Sequence, residues 1–394
     1  MGEAKPRGRS VLCMLKTEVH DHIFFRIRMD ELRRLVETLG LEVVGEFVQT
    51  ESKPFSTYLI GSGKVKELKS YVKRQEIDLV VFYNILKSNQ KLILIRTLGC
   101  DVIDRYEVIL EIFDQMASDR VSKLQIDAAR LDKLYPFYKL QATLKYQTER
   151  PFFLSMGEYG YHRQLRGLTT RITKIQAKID ELKAEKQEQI RKRKALGYPT
   201  ICIAGYYNAG KTSLFNALTG ESKKVTDKPF TTLTSKYQRR YLNNHEVLLF
   251  MDTIGFVIDL DPRLIKSFEL NIEDMRSADI VLLLLEIDDS FPLLSMKLKS
   301  GIDLLKELGI EKSKIIVVLN KIDLVKQELV EETIEKLRME DRGFDWICIS
   351  AKNRTNLQEL IELVRRKNHE IKVAPLPIIA KTAGEQSWIE QKRS

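Results

Sequence analysis

Apolar residues in the first hundred positions alternate between short continuous runs and stretches with helical spacing. Short runs bounded by polar and turn residues predict buried β-strands. These runs lie at 11–16, 43–48, 78–83 and 100–103. Apolar positions spaced three and four residues apart predict helices at 30–39, 61–75 and 88–98. Strands that alternate with helices predict a small parallel α/β domain over residues 1–105.

Two longer stretches, 106–140 and 162–196, repeat their apolar residues at helical spacing throughout. Two long helices joined by a loop predict an antiparallel helical hairpin over residues 106–197. The connecting loop at 150–161 is rich in aromatic residues. Their side chains could stack on RNA bases or pack on the neighbouring domain, and the sequence leaves both alternatives open.

A further set of apolar runs begins after Gly197-Tyr198-Pro199, which predicts the start of another domain. The runs lie at 201–204, 247–251, 280–285, 315–319 and 346–349. Runs of this kind are typical of strands buried in a parallel sheet. We therefore predict an α/β domain over residues 198–370, followed by a partly disordered tail over residues 371–394 that contains Pro375 and Pro377.

The first of these runs leads into a glycine loop. Residues 205–212 read G-Y-Y-N-A-G-K-T, which fits the phosphate-loop pattern G-x-x-x-x-G-K-[ST], and a helical pattern follows. In such a loop, backbone N–H groups point at phosphate oxygens, Lys211 reaches the β- and γ-phosphates, and the Thr212 hydroxyl binds Mg²⁺. The residues expected to contact nucleotide are Gly205, Tyr206, Tyr207, Asn208, Ala209, Gly210, Lys211, Thr212 and Ser213.

Three further motifs, each after an apolar run, predict the rest of a nucleotide site. Asp252-Thr253-Ile254-Gly255 places a carboxylate where a P-loop enzyme holds Mg²⁺, and Gly255 lets the backbone approach the γ-phosphate. Asn320-Lys321-Ile322-Asp323 places a carboxylate that can accept hydrogen bonds from guanine N1–H and the guanine amino group, a pair that adenine lacks. Ser350-Ala351-Lys352 can supply backbone contacts to the guanine oxygen. The motifs together predict a site for GTP and GDP.

The segment at 228–233, between the first two motifs, reads K-P-F-T-T-L. A threonine in such a loop typically gives its hydroxyl to Mg²⁺ and its backbone to the γ-phosphate, contacts that exist only with the triphosphate. Phe230, Thr231 and Thr232 are the candidates for these contacts. A solvated turn is the alternative.

Composition places the chain among ordinary globular proteins. The 394 residues are 43% hydrophobic and 30% charged. No apolar stretch approaches the ~20 residues of a membrane span, residues 1–10 lack an apolar signal-peptide core, and the four cysteines lack metal-ligand spacing. We therefore expect a cytoplasmic protein without a membrane span, whose cysteines are mostly buried and reduced.

The formal net charge of +10 is compatible with RNA or another polyanion, although surfaces rich in Lys and Glu also occur in thermophiles. The basic run at 191–194 fits RNA or a solvated helix end equally well. The loop Gly61-Ser62-Gly63-Lys64 lacks the spacing for a nucleotide but could bind RNA phosphates. His20 and His22 could bind a metal, and a solvated turn is the favoured alternative.

The motifs resemble those of the HflX family of GTPases along most of the chain. The matching stretches are A-G-K-T-S-L-F-N at 209–216, D-T-I-G-F-V-I-D-L at 252–260, G-S-G-K-V-K-E-L at 61–68, V-I-D-R at 102–105, I-F-D-Q at 112–115 and K-L-Q at 123–125. The resemblance implies an N-terminal domain with a helical hairpin, a Ras-like P-loop GTPase domain, and binding to the large ribosomal (50S) subunit and its RNA. It also favours Thr232 over Thr231 as the Mg²⁺ ligand.

Two features depart from the family pattern. Residues 154–161 read L-S-M-G-E-Y-G-Y, where the family usually has a glycine-rich stretch that ends in G-P-G-E-T-Q. This loop is the one expected to approach ribosomal RNA, so its change bears on how the ribosome is bound. We expect the chain to lack the additional C-terminal domain of many bacterial members and in this to be similar to archaeal members.

The predicted reaction is GTP hydrolysis by in-line attack of water, with Mg²⁺ and with Lys211, Thr232 and Gly255 as the catalytic groups. Phe256 follows Gly255 and cannot orient a water molecule, so we expect slow intrinsic hydrolysis. In similar GTPases the residue at the position of Asn208 helps to coordinate K⁺, which makes K⁺ a candidate cofactor; an amide that only braces the loop is the alternative.

We expect a monomer that dissociates or rescues ribosomes. One alternative is a nucleotide-switched module that binds RNA or the ribosome, with incidental turnover. Another is an RNA-remodelling enzyme that uses its N-terminal domain.

Overall fold

The structure is a computed structural model that describes residues 8–18, 21–117, 119–148, 156–220, 236–242, 246–253 and 255–373. The strands are β1 Arg9–Lys16, β2 Glu42–Thr50, β3 Leu79–Phe82, β4 Asp101–Asp104, β5 Thr200–Gly205, β6 Lys236–Tyr241, β7 Val247–Asp252, β8 Ile280–Glu286, β9 Ile315–Asn320 and β10 Asp345–Cys348. The helices are α1 Phe24–Thr38, α2 Ser62–Gln75, α3 Ser88–Leu98, α4 Arg105–Met116, α5 Arg120–Thr148, α6 Met156–Ala195, α7 Lys211–Thr219, α8 Pro262–Ser267, α9 Glu269–Ser277, α10 Phe291–Glu307, α11 Gln327–Leu337 and α12 Leu357–Val373.

The strands form two separate sheets, and the predicted α/β class is confirmed. The N-terminal sheet is parallel, in the order β2-β1-β3-β4. The second sheet has the order β10-β9-β8-β5-β7-β6 and is parallel except for β6, which runs antiparallel to β7. Every residue of β5, β8 and β9 is buried, as expected for central strands covered on both faces. The glycine loop leaves the C-terminal end of β5, in the middle of this sheet.

The structure differs from the predicted helices in several places, and two of these differences have a clear physical cause. The first helix begins at Phe24 rather than at residue 30, because the Asp21 carboxylate accepts a hydrogen bond from the Phe25 N–H and satisfies the helix start. The single helix predicted over 106–140 is wrong: the chain forms α4 and α5, with Ala117 extended between them. The Asp119 carboxylate accepts from Ser122 N–H at 2.8 Å, which starts a new helix where periodicity alone suggested continuity.

Helices α5 and α6 lie antiparallel, as the sequence predicts. Arg171 pairs with Asp127, and the Thr169 hydroxyl contacts the Tyr135 hydroxyl. Residues 150–155 of the predicted aromatic loop lie outside the described residues, and the prediction is wrong for 156–161, which form the start of α6. The division of the chain into domains at residues 105, 197 and 370 stays a prediction. Helix α12 extends through Val373, and residues 374–394 of the predicted tail lie outside the described residues.

The two sheets share one hydrophobic cluster across their junction. It includes Leu32 and Val108 from the N-terminal region and Phe256 and Leu264 from the second. The rings of Phe113 and Phe268 meet edge to face across this junction, with centroids 4.5 Å apart. Helix α6 also contacts α9, where the fully buried Asp274 carboxylate forms ion pairs with Lys186 and Arg193. The N-terminal region therefore packs directly on the region that carries the nucleotide motifs.

A buried carboxylate at the start of α4 organises the N-terminal region. Asp104 is fully buried and caps α4 by accepting from Glu107 N–H; it also accepts from Leu86 N–H at 2.9 Å and from Lys133 Nζ at 2.6 Å. It therefore joins the loop after β3, helix α4 and helix α5.

We predict that Asp104→Ala lowers the free energy of unfolding by about 3–5 kcal/mol, because it removes a helix cap and leaves the Lys133 ammonium buried without its carboxylate. Urea unfolding of the full chain, followed by circular dichroism, measures the change. Asp101→Ala, at an exposed position of the same strand, is the matched control and should cost less than about 1 kcal/mol. Equal losses for the two variants would contradict the role given to Asp104.

Candidate nucleotide-binding site

The glycine loop is shaped by two glycines that no other residue could replace without strain. Gly205 has φ +146°, and a Cβ built there would lie 2.4 Å from the Leu284 carbonyl oxygen. Gly210 has φ +90°, and a Cβ there would lie 2.4 Å from the Asn320 amide nitrogen. The loop thus turns tightly between β5 and α7 and leaves its backbone open for close approach by phosphate.

Lys211 opens α7 and folds back over the loop. Its ammonium is buried and donates to the Tyr206 carbonyl oxygen at 2.7 Å. Burial lowers the pKa of Lys211 to about 8, although the nearby Asp252 and Glu286 carboxylates oppose this shift. A bound phosphate would supply the negative charge that best stabilises this ammonium.

Two of the three predicted Mg²⁺ ligands come together. The Thr212 hydroxyl donates to the Asp252 carboxylate at 3.1 Å, and Asp252 is fully buried at the end of β7. A hydroxyl beside a carboxylate is a hard oxygen donor set of the kind that Mg²⁺ prefers, and Mg²⁺ usually takes its other ligands from water and phosphate. Among the described residues there is no group of three or more His, Cys, Asp or Glu side chains that could hold a metal. These residues fit an ion held jointly with a nucleotide.

The segment after Asp252 is hydrogen-bonded to β5 and to the glycine loop. The Thr253 hydroxyl donates to the Ile203 carbonyl oxygen at 2.8 Å. Phe256 N–H donates to the Gly205 carbonyl oxygen at 2.9 Å, and Tyr207 N–H donates to the Phe256 carbonyl oxygen at 3.1 Å. A Cβ built on Gly255 would lie 3.1 Å from Lys211 Nζ. Gly255 therefore sits beside the side chain that is expected to contact the γ-phosphate.

The Phe256 side chain points away from the loop and into the hydrophobic core. Its ring is 3% exposed and meets the Tyr206 ring edge to face, with centroids 6.0 Å apart. No polar atom at this position can orient a water molecule.

The predicted base-recognition residues converge on the same end of the sheet. The buried Asn320 amide donates to the Ala209 carbonyl oxygen at 2.9 Å and accepts from Ala351 N–H at 3.0 Å, so it joins the glycine loop to the Ser350-Ala351-Lys352 turn. The Ser350 hydroxyl donates to the Asp323 carboxylate at 2.6 Å and fixes its orientation. Lys352 is exposed.

One buried acid beside this site, Glu286, was not predicted from the sequence. Glu286 ends β8 and pairs with Lys297 at 3.2 Å and with Lys321 at 3.5 Å. Its position directly after the apolar run at 280–285 was the available signal. The predicted contacts Phe230, Thr231, Thr232 and Ile254, and His20 as well, lie outside the described residues, so their roles stay predictions.

Comparison with known proteins decides the family. The model of a family described as a GTP-binding GTPase N-terminal region matches residues 26–114, and that of a 50S ribosome-binding GTPase matches residues 200–321. GTPase HflX of Thermofilum pendens is 40% identical over 336 residues, which cover 85% of this chain and 78% of the relative. GTPase HflX of Thermococcus kodakarensis is 33% identical over 346 residues, which cover 86% and 78%. The chain belongs to the HflX family of GTPases.

A solved structure supports the fold of this HflX protein. The crystal structure of SsGBP in complex with GDP aligns with a TM-score of 0.50 and 25% identity, over 93% of this chain and 100% of that one. As a P-loop GTPase, the HflX protein binds guanine nucleotides and hydrolyses GTP. Within the described residues, no helix is both long enough and apolar enough to span a bilayer.

The base-recognition geometry predicts a switch of specificity. Asp323→Asn replaces one carboxylate oxygen with an amide donor, which cannot accept from the guanine amino group but can donate to the oxygen that xanthine carries there. We expect affinity for GDP to fall by about 100-fold or more, since charge-assisted hydrogen bonds are lost. Affinity for xanthosine diphosphate should rise. Isothermal titration with both nucleotides measures the switch, with Asp288→Asn as a control. Unchanged GDP affinity would contradict the role of Asp323.

Proposed function

We propose that this GTPase binds the large ribosomal (50S) subunit and its RNA, hydrolyses GTP with Mg²⁺, and thereby dissociates or rescues ribosomes. The observation that carries the proposal is the core-facing Phe256 ring, which leaves the position after Gly255 without a side chain that could orient water. Such a site depends on a partner to complete it. The match of residues 200–321 to a family described as 50S ribosome-binding indicates the ribosome as that partner.

The geometry of the described residues supports the proposed roles within the site, and the role of Thr232 rests on the resemblance to the family. Thr212 and Asp252 would hold Mg²⁺, joined by Thr232, and this ion would neutralise charge on the β- and γ-phosphates. Lys211 leaves the Tyr206 carbonyl oxygen and donates to the phosphates. The Gly255 N–H stabilises the γ-phosphoryl group while water attacks in line. Asp323 reads the guanine edge.

A basic and aromatic groove supports a nucleic-acid partner. A cavity of about 570 Å³ lies between the end of α6 and the edge strand β6. Arg193 lies over the Tyr237 ring at 3.9 Å, and Arg239 lies over the Tyr198 ring at 5.4 Å. Tyr241, at the rim, is 68% exposed. Stacked arginines and an exposed tyrosine suit the phosphates and bases of a single-stranded RNA segment.

The central prediction concerns stimulation by the ribosome. We expect purified large subunits to raise the rate of GTP hydrolysis by about tenfold or more, because they complete a site that lacks a water-orienting group. Phosphate release is measured for the protein alone, with large subunits, with small subunits and with naked ribosomal RNA, and Lys211→Ala gives the background. Equal rates in all four conditions would contradict a ribosome-coupled reaction.

The alternative, a nucleotide-switched binding module with incidental turnover, is favoured by the same slow site. A non-hydrolysable GTP analogue separates the two functions. If ribosome dissociation proceeds fully with the analogue, binding rather than hydrolysis does the work. If the analogue traps the protein on undissociated ribosomes, hydrolysis is required.

The position of Asn208 in the glycine loop allows a test of K⁺ as a cofactor. Asn208 is exposed and has φ +65°, at the edge of the phosphate-binding backbone. We propose that its amide oxygen helps to bind K⁺, so hydrolysis should be several-fold faster in KCl than in NaCl at equal ionic strength. Asn208→Gly removes the amide but keeps the left-handed backbone, and should abolish the difference. Equal rates in the two salts for the unmodified protein would remove K⁺ from the mechanism.

A further inference from the structure

The chain leaves the nucleotide site through a buried segment that lies between the two sheets. Phe256, Val257 and Ile258 are 3%, 2% and 2% exposed, and all three belong to the hydrophobic cluster shared by both regions. Backbone N–H and C=O groups buried this way must find partners, since an unpaired group costs about 1–3 kcal/mol. Those partners identify what holds the segment.

Two side chains of the N-terminal region pair with this backbone. The Glu31 carboxylate, on α1, accepts from Ile258 N–H at 2.8 Å. The Arg105 guanidinium, at the start of α4, donates to the Asp259 carbonyl oxygen at 2.9 Å and also to the Ile258 carbonyl oxygen. Glu31 and Arg105 pair with each other at 3.0 Å, and their side chains are only 4% and 5% exposed.

Asp259 completes the attachment of the segment. Its backbone has φ +48°, a left-handed conformation that is costly for a residue with a Cβ. Its carboxylate accepts from Arg28 Nε at 2.7 Å and from the Tyr83 hydroxyl at 3.0 Å. The strained turn is therefore held by α1 and by the end of β3, in addition to α4.

The other end of the same short segment is paired with the glycine loop. Phe256 N–H donates a hydrogen bond to the Gly205 carbonyl oxygen, and the Phe256 carbonyl oxygen accepts one from Tyr207 N–H. Gly255 is thus separated from the Glu31–Arg105 contact only by residues whose backbone or side chain is fixed. Because the residues between them are packed or hydrogen-bonded, a displacement of Ile258 must also move Phe256 and Gly255.

We infer that Glu31 and Arg105 are positioning residues for GTP hydrolysis, which hold the Ile258 and Asp259 backbone so that Gly255 lies against the glycine loop. Neither residue belongs to the motifs that are predicted to contact the nucleotide. The hydrolytic site thereby extends into the N-terminal region, through the motifs at 102–105 and 252–260. Misplacement of a reacting group by about 1 Å can cost up to 100-fold in rate, so loss of these contacts should change turnover rather than binding.

Glu31→Gln and Arg105→Lys test the inference with little change in volume. Gln keeps the shape of Glu31 but not its charge, and Lys cannot reproduce the fork with which Arg105 contacts several oxygens. We expect kcat for GTP to fall by about tenfold, while KM for GTP and Kd for GDP change by less than about twofold, the pattern of an interaction that acts in the transition state. The double variant should be no slower than the worse single variant, because the two residues act as one unit.

Glu107→Gln is the matched control. Glu107 is a half-buried carboxylate of the same region that pairs with Lys91 and accepts from Asp104 N–H rather than from the 256–259 segment. Burial raises the pKa of both Glu31 and Glu107, and a cationic partner opposes the rise in each case, so the two substitutions perturb similar environments. Thermal unfolding of each variant supplies the matching stability measurement. Glu107→Gln should lower Tm as Glu31→Gln does and leave kcat unchanged.

Asp259→Asn is a milder variant for the case in which the buried substitutions prevent folding. Its side chain is 41% exposed, and Asn tolerates the left-handed backbone, so the fold should survive while the pairing with Arg28 weakens. We expect a smaller fall in kcat, of about threefold. Three outcomes would overturn the inference: kcat unchanged in every folded variant, kcat raised, which would mark the contacts as a restraint, or kcat lowered equally by Glu107→Gln.

Discussion

The buried backbone of residues 255–258 must have its polar groups paired, and the arrangement of the two regions depends on that constraint. One side of this segment is satisfied by the glycine loop and the other by Glu31 and Arg105. Burial of Phe256, Val257 and Ile258 supplies the hydrophobic contribution, and these directional hydrogen bonds help to fix how the two regions meet. A nonpolar contact alone would allow the two sheets to slide past one another.

The nucleotide site is a set of opposing charges held at the end of the second sheet. Lys211 is buried near the Asp252 and Glu286 carboxylates. Glu286 also forms ion pairs with Lys297 and Lys321. A buried cation and buried carboxylates keep one another ionised only when each has a partner. The phosphates of a guanine nucleotide would insert new negative charge where Lys211 now relies on a backbone oxygen, which is a physical reason for nucleotide binding and local structure to be coupled.

Among the described residues of the hydrolytic site, one position carries no polar side chain. The loop, the hydroxyl–carboxylate pair and the base-recognition residues are assembled, whereas the position after Gly255 is filled by a ring that faces the core. A GTPase built in this way gains from a partner that orders water or charge at the γ-phosphate. Its turnover can then depend on the state of that partner. The N-terminal region contacts the same segment, residues 255–259, through Glu31 and Arg105.

The sequence by itself determined the local elements and the nucleotide class. Periodicity located helix 88–98 at its observed bounds. Motif spacing placed Lys211 in the loop–helix connection after β5, Asp252 at the end of β7 and Asp323 just after β9, because such patterns report short-range geometry. It missed the break between α4 and α5, since the cap at Asp119 interrupts a stretch whose apolar spacing continues.

Only the tertiary structure decided which distant groups meet. Glu31 and Ile258 are 227 residues apart in the chain, and Arg105 and Ile258 are 153 apart. No local pattern encodes such a contact. It arises because packing two apolar surfaces together leaves a buried backbone that only a charged pair from the other region can satisfy.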